Sequence, residues 1–595
     1  MYGPNNVRGF NPQIAGNVRL DGLYFDQQGG LSNRVVEGST VRIGASEIGY
    51  AFPAPTGIVD YDLRHTGDGT ASASAVAAFG PFEARAISLD AVLPVLGKSL
   101  QVPVGASWQV GTNTPSGNLP GYTSLQATFG ATPEWRIGED WRIRALFDWS
   151  RYSEARTLPY VFPAGDFEPA LVQGYFGQDW AQGKTENVNG GLMVHGRLAG
   201  NWWLAAGLFR SISNSPLGYS DLYVDTRING LADHVLIGYP DQFVASTSGE
   251  ARVTGRFALD EWRHDVFFLL RGRDTQAYYG GSDSVDAGPA QIGQGLQVPE
   301  PDFQTSARTS DRVDLLSAGF GWRGQWDRRA DFALGVQRES YRKTVAAPGA
   351  ETTRIEDAPL RAYGHASYAL ASELSAYAGA TQGLEDSGTA PTGAANHGAI
   401  LPDARTWQAD GGLSYAIAGS VKLIGGVFEI EKPYFNLDAD NVDRQLAMER
   451  ARGFELSVSG PIGKRLQLAF GALLGQYGLI GSNLAAQGIG PLAFGQPHFQ
   501  STLNADYTIT SGISVDLAAF RASAAPASPD NVVRQSVPPL FALGGRYKFK
   551  IDGKDATLRL QWQNISNRQF WNFWYTPGYM EFTPRSLLGY LTVDL

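Results

Sequence analysis

Seven histidines, no cysteine, and a scatter of aromatic and arginine side chains are the chemically capable residues of this 595-residue chain. The histidines (His65, His195, His234, His264, His365, His397 and His498) stand far apart, and none forms the i, i+4 pair of a zinc-protease helix. Without a thiol there is no thiolate metal site, Fe–S cluster or cysteine nucleophile. No G-x-S-x-G elbow occurs. Gly67-Asp68-Gly69 reads as a turn, because no helical pattern follows to cradle a phosphate. The chain is therefore expected to be no enzyme, with no catalytic residue, resident metal or cofactor.

What remains is recognition. Tyr175, Phe176, Trp180, Tyr278, Tyr279, Trp571, Phe573, Trp574 and Tyr575 lie in long polar stretches. Their flat faces can stack on a planar or catecholate-like ligand, or pack the loops themselves. Arg142, Arg144, Arg252, Arg256 and Arg559 sit on polar strand faces. They can hold an anionic complex, pair with carboxylates or line solvent.

The elements that must position these groups are strands. Trp141, Ile143, Ala145, Phe147 and Trp149 alternate with Arg142, Arg144, Leu146, Asp148 and Ser150. The same period of two runs through Ala251–Phe257, Phe499–Ile509 and Ala556–Trp562, so one face is apolar and the other charged. These runs reach about 10 residues or more, the length a tilted membrane strand needs. Short polar turns such as 138–140, 200–201, 260–261, 510–512 and 552–554 alternate with long Gly/Pro/Asn/Asp-rich stretches at about 155–186, 214–246, 277–309, 385–403, 479–496 and 567–583. Short turns at one rim and long loops at the other describe a transmembrane barrel. Hydrocarbon offers the backbone no hydrogen-bond partner, so such a sheet must close. The predicted fold is all-β: an antiparallel barrel of about 22 strands over 67–595, too wide for side chains to fill. Trp141, Trp149, Trp202 and Trp562 fit the aromatic girdles at the lipid interface.

Composition agrees. Charged residues are 18% and aromatics 12%, too apolar for a disordered chain. Net charge is -10, which argues against nucleic acid as a partner. The longest apolar runs, such as Val266–Leu270 before Arg271, are far too short for a spanning helix. Outer-membrane lipid is the expected surrounding.

Residues 1–66 do not alternate in this way. Short strand-like pieces, Asn17–Tyr24 and Val41–Gly44, are separated by Gly, Pro and polar turns. A unit of this size suits the lumen of a wide barrel. Val7-Arg8-Gly9-Phe10 followed by Val18-Arg19-Leu20-Asp21-Gly22-Leu23-Tyr24 resembles the plug of TonB-dependent outer-membrane receptors, with its (I/V)RGF strand and R-x-DG-x-Y segment. Ala451-Arg452-Gly453-Phe454-Glu455-Leu456 through Gly460 is similar to the family's RGxELxxxG strand. Gly383-Leu384-Glu385 through Leu401-Pro402 is similar to a GLE … N … LP region of siderophore-type members. The terminal strand, Leu587 to Leu595, resembles the family's assembly signal.

This resemblance implies a partial plug over 1–66, TonB as the energising partner, and uptake of a ferric siderophore or other small nutrient. An oligosaccharide, cobalamin or haem is the alternative cargo, and a passive barrel the third reading. Ligand would meet the loop 11–15, with Gln13 and Ile14, and the loop 24–28, with Tyr24, Phe25 and Gln27. Tyr175, Phe176, Trp180, Tyr278 and Tyr279 would add contacts from the barrel loops. Arg8, Gly9, Phe10, Asp21 and Gly22 would be structural, with Arg8 bonded to barrel carboxylates. The opening Met1-Tyr2-Gly3-Pro4 has no charged n-region or apolar h-region. The family's TonB box and earlier plug strands are also missing, so an N-terminal truncation is expected: a misplaced start, a trimmed fragment or a shortened gene.

Overall fold

The computed structural model describes residues 2–111, 119–386, 388–417, 420–574 and 578–595, and for Phe573 and Trp574 the backbone only. Tyr575 lies outside the described residues. Twenty-two antiparallel strands close into one barrel. The last strand, Ser586–Asp594, pairs with the first, Ser72–Phe79, from Gly589↔Phe79 to Asp594↔Ser74. Closure satisfies every edge that would otherwise face lipid.

The predicted alternation is the wall's inside–outside rule. Leu208, Leu270, Leu334 and Leu474 are all at least half exposed, whereas their neighbours Phe209, Leu269, Ala333 and Leu473 are buried. Outward side chains therefore face hydrocarbon and inward ones meet the lumen's contents. Near the short turns, outward aromatics cluster: Trp262 stacks on Trp326 at 6.1 Å, and Trp202 meets Phe257 edge-on at 5.8 Å.

Several strands outrun the membrane. Trp262–Tyr279 and Thr309–Trp326 each have 18 residues, or about 60 Å at ~3.3 Å per residue. The excess projects on the long-loop side. There the expectation of irregular loops is corrected. Trp202–Thr226 runs on past the wall, and its residues 218–224 pair with Leu231–Tyr239, which pairs in turn with Asp283–Gln291. Pro159–Pro163 joins the same layer, bridging to Tyr579 of the Trp571–Trp574/Gly578–Glu581 hairpin. A small core of Val161, Phe176, Tyr223, Ile292, Trp571 and Tyr579 holds this layer together. Its polar outer face disguises strands as loops in the sequence.

Inside the bore lies a mixed four-stranded sheet, β1 (Val18–Leu20), β2 (Leu23–Tyr24), β3 (Val36–Arg42) and β4 (Ile58–Leu63), ordered β2-β1-β4-β3. The β1–β2 link is Asp21-Gly22, with φ of +46° and +80°. Two consecutive positive φ values make the tight two-residue hairpin turn for which Asp-Gly is favoured. Val18, Leu20, Leu23 and Phe25 pack against the wall's Leu146, Met193 and Phe209, and Phe52 packs on Phe267 and Tyr363. Contacts to such widely separated strands place the sheet in the lumen as a plug.

Phe268 is outward and half exposed, six residues above Trp262. Phe268→Arg should cost ~2–4 kcal/mol of folding free energy in bilayers, read from urea midpoints. The inward Gln561→Arg, on the polar lumen face, should leave the midpoint nearly unchanged.

Candidate functional site

Cross-strand register sorts the inward residues into tiers. Asp148, Asn189, Ser211, Ser246, Thr275, Val313 and Lys343 are successive partners across seven neighbouring strands. The plug's apical loop is stitched to this polar tier and the one beneath it. Ser211 Oγ accepts from the backbone N–H groups of Gln28 and Gly29 at 2.9 and 3.0 Å. Asn189 Nδ2 donates to Gly30 O at 3.1 Å, and Ser32 N–H donates to Asp148 at 3.1 Å. Asp26 N–H donates to Ser248 Oγ at 2.9 Å.

The Asp26 carboxylate is the centre of this seam. Arg273 Nη1 donates to it at 3.0 Å and Thr275 Oγ1 at 2.8 Å. Burial pushes its pKa up, but Arg273 and hydrogen bonds from Ser246 and Thr275 outweigh burial and hold it below the usual carboxylate value. Next to it, Lys343 Nζ donates to both oxygens of Asp386 at 2.9 and 3.1 Å and lies 3.3 Å from Asp311. Burial likewise raises Asp386, and Lys343 and Arg273 bring it below its ordinary value. Tyr279 and Thr389 hydroxyls each donate to Asp311 at 3.2 Å.

Above this network is a cavity of about 570 Å³ between plug and wall. Gln13, Ile14 and Gln27–Gly30 form its plug side, and Arg273, Thr275, Asp311 and Asp386 its wall. The Asn11 carboxamide fixes the first tip by accepting from Gln13 N–H and Ile14 N–H at 2.9 and 3.1 Å. Ile14 is 69% exposed, an apolar side chain held out into the opening. Gln27 Oε1 is buried without a hydrogen-bond partner among the described residues. The site can thus bind a ligand carrying both polar and apolar surface.

Three sequence-predicted residues, Gln13, Ile14 and Gln27, meet at this cavity, and Tyr279 reaches its edge through Asp311. Tyr278 is on the outward face of the same strand, flanked by Arg308 at 5.4 Å, and does not line the cavity. Others are placed differently. Tyr24 and Phe25 are buried below the tips: Tyr24 lies between Arg19 and Arg271, and Phe25 meets Phe209 edge-on at 5.6 Å. A β2 side chain and its follower point into plug packing, leaving only Gln27 and Gln28 free to reach upward. Phe176 is buried in the outer-layer core against Tyr223. Tyr175 donates to Gln178 O, and Trp180 donates to Val298 O and packs on Tyr219. These aromatics hold loop to loop. The sequence reading missed Asp26, Arg273, Asp311, Lys343 and Asp386 as a group. The long inward run Arg271, Arg273, Thr275 towards Tyr279 was the available signal.

Below, the plug is bolted to the wall. Arg8 is fully buried and donates to Glu455 through Nη2 at 2.6 Å and Nε at 3.1 Å, with Asp410 at 3.8 Å. Its guanidinium also lies 4.4 Å above the Phe428 ring. Gly9, at φ +90°, brings the backbone against Tyr477 and Gln496, where a Cβ would clash, and Phe10 enters the cluster of Phe428, Ile430 and Tyr477. On the opposite wall Asp21 accepts from Arg144 Nη1 at 2.6 Å, while within the plug Gly22 N–H donates to Asp60 of β4 at 2.9 Å.

No family model matches the chain, and no curated protein matches it. Solved structures do. BauA, the ferric preacinetobactin receptor from Acinetobacter baumannii, superposes with a TM-score of 0.84 at 17% identity, covering 99% of this chain and 90% of that one. The siderophore receptor PiuA from the same species gives 0.83 at 14%, over 99% and 90%. The ferric-catecholate import receptor Fiu from E. coli K12, in its closed form, gives 0.80 at 14%, over 99% and 90%. At these identities the likeness is one of fold.

Two outcomes follow. Arg8→Ala leaves Glu455 and Asp410 as buried, unpaired carboxylates and should loosen the plug by ~3–5 kcal/mol, seen as protease cleavage within 1–66 while the barrel stays intact. For Asp26, the folded pKa lies below the unfolded ~3.9. Its contribution is complete above that value and lost as pH falls through the folded one. Amide exchange at Gln27–Gly30 should therefore stay slow at about pH 5 and quicken only below about pH 4.

Proposed function

We propose that the protein is an outer-membrane receptor that imports a scarce small ligand, a ferric siderophore first among the candidates, with energy supplied through TonB. Residues 1–66 act as the plug and 67–595 as the conduit. The observation that carries the reading is the polar cavity at the long-loop mouth, floored by a plug that hydrogen bonds and ion pairs tie to the wall. A free-diffusion pore needs neither the floor nor the built cavity. A capture site needs both, because tight binding and spontaneous release oppose each other. Transfer then requires work on the plug, and the ties at Arg8, Asp21 and Asp26 are the ones to be rearranged. The ligand undergoes no covalent change. The fold likeness to receptors for ferric preacinetobactin and ferric catecholates supports iron complexes as cargo over an oligosaccharide, cobalamin or haem.

The test is growth under iron limitation of a strain lacking its own siderophore receptors, supplied with ferric catecholate, hydroxamate or carboxylate complexes singly. The gene should restore growth on one of them. Growth restored instead by haem, cobalamin or an oligosaccharide would move the cargo class. A large, steady current through the chain in planar bilayers would replace the receptor with an open pore.

A further inference from the structure

Beneath the cavity the lumen turns basic. One tier below Arg273 on Trp262–Tyr279 lies Arg271, paired across to Glu250; Arg252 is opposite Leu269, and Arg256 is opposite Asp265. Each two-residue step along a strand is about 7 Å, so inward guanidiniums descend from the cavity towards the short turns. In the buried tiers, Arg252, Arg271 and Arg361 from the wall and Arg19 from β1 gather around Glu250 and Glu339. Glu250 takes Arg252 at 3.0 Å; Glu339 takes Arg361 and, at 4.0 Å, Arg271. Arg19 has no ion-pair partner among the described residues. Buried charge is normally balanced, and two further carboxylates, Asp60 near Arg19 and Glu385 near Arg361, belong to this cluster.

At the foot is a second cavity, about 420 Å³, on the short-turn side of the plug. Arg142, His195, Arg252, Arg256 and Trp203 line it. Register puts Arg142, His195, Ala205 and Arg252 in one tier. Trp203 is the next inward residue below Ala205, with Arg256 at 5.3 Å and Arg197 at 5.5 Å from its ring. Glu139 and Asp140 reach the rim, Asp140 at 3.8 Å from Arg197. Arg142 and Arg256 are exposed to the lumen's solvent and have no carboxylate within ion-pair distance among the described residues. The plug's Asp21 turn, held by the neighbouring Arg144, stands just above.

We propose that Arg142, Arg252 and Arg256 form a second binding site, for a carboxylate-bearing anion, that receives a net-anionic complex after it leaves the upper cavity past Arg273 and Arg271. The transit half rests on the uptake reading above; the anion site itself does not. The carboxylates of the upper cavity are offset in part: Asp26 is tied to Arg273, and Asp311 and Asp386 share Lys343. Arg142 and Arg256 supply charge-assisted donors, and the Trp203 face supports the guanidiniums between occupancies.

Citrate is the probe, titrated calorimetrically into the purified full chain at physiological ionic strength, where the Debye length of ~8 Å suppresses diffuse attraction. Saturable binding is expected, weakened about tenfold or more (~1.4 kcal/mol) by Arg142→Gln with Arg256→Gln, and unchanged by the remote Thr502→Ala. Absence of saturable binding, or equal binding in the double variant, overturns the site. In cells, the double variant should keep surface binding of the growth-supporting ferric complex but import radio-iron several-fold more slowly. Unchanged import alongside lost citrate binding would overturn transit and assign the site to a free polycarboxylate. If the wild type itself supports no iron uptake, the uptake reading and the transit step fail together, and the citrate isotherm still decides the anion site.

Discussion

A peptide group left without a hydrogen-bond partner in hydrocarbon costs several kcal/mol, and the rest of this molecule follows from avoiding that cost. Strands crossing lipid must pair on both sides, so the sheet closes, and Ser586–Asp594 returns to Ser72–Phe79. Closing 22 strands makes a bore that wall side chains alone cannot fill. The period of two then sends every second side chain inward. Polar residues that satisfy a membrane strand's solubility on one face become, inside the bore, a set of hydrogen-bonding groups in need of partners.

The plug supplies many of them. Its apical backbone N–H groups land on Ser211 and Ser248, its Asp26 on Arg273 and Thr275, its Asp21 on Arg144 and its Arg8 on Glu455. These ties differ in kind. The apical seam is mostly neutral donors and acceptors around two carboxylates, Asp26 and Asp148, whereas Arg8 is a fully buried guanidinium between two acids. Breaking a buried ion pair is strongly destabilising because it leaves an uncompensated charge. The plug is held by such pairs on both sides, Arg8 to Glu455 and Asp26 to Arg273.

The outer layer plays a different part. Of the loop aromatics that could stack on a ligand or pack the loops, Trp180 and Trp571 do the latter: Trp180 joins Val298 and Tyr219, and Trp571 joins Pro169. The His234–Asp221 contact at 2.8 Å is fully buried within this layer, with Asp221 also accepting from Gln178 N–H. A layer with its own core presents a preformed rim to the cavity.

Local pattern was enough for the wall. Alternation over ten or more residues declares which face meets lipid, and turn length declares which rim is which, because both depend only on neighbours in the chain. Asn17–Tyr24 read as one strand-like piece, and the structure divides it into two strands joined by the Asp21-Gly22 turn. The candidate site was legible only in part. Gln13, Ile14 and Gln27 follow from the resemblance to a plug, but Asp26, Arg273, Asp311, Lys343 and Asp386 come from the plug and from separate wall strands and loops. Each alone reads as an ordinary polar residue on a strand or loop. Their meeting depends on cross-strand register and on how the plug seats in the bore, and a one-residue slip would turn each inward group out to lipid. The burial of Tyr24, Phe25 and Phe176 is decided likewise by what packs against them. Sequence alone determined the period and hence the barrel; only the closed tertiary structure decided which inward residues face one another, because that is a property of pairing across the wall rather than along the chain.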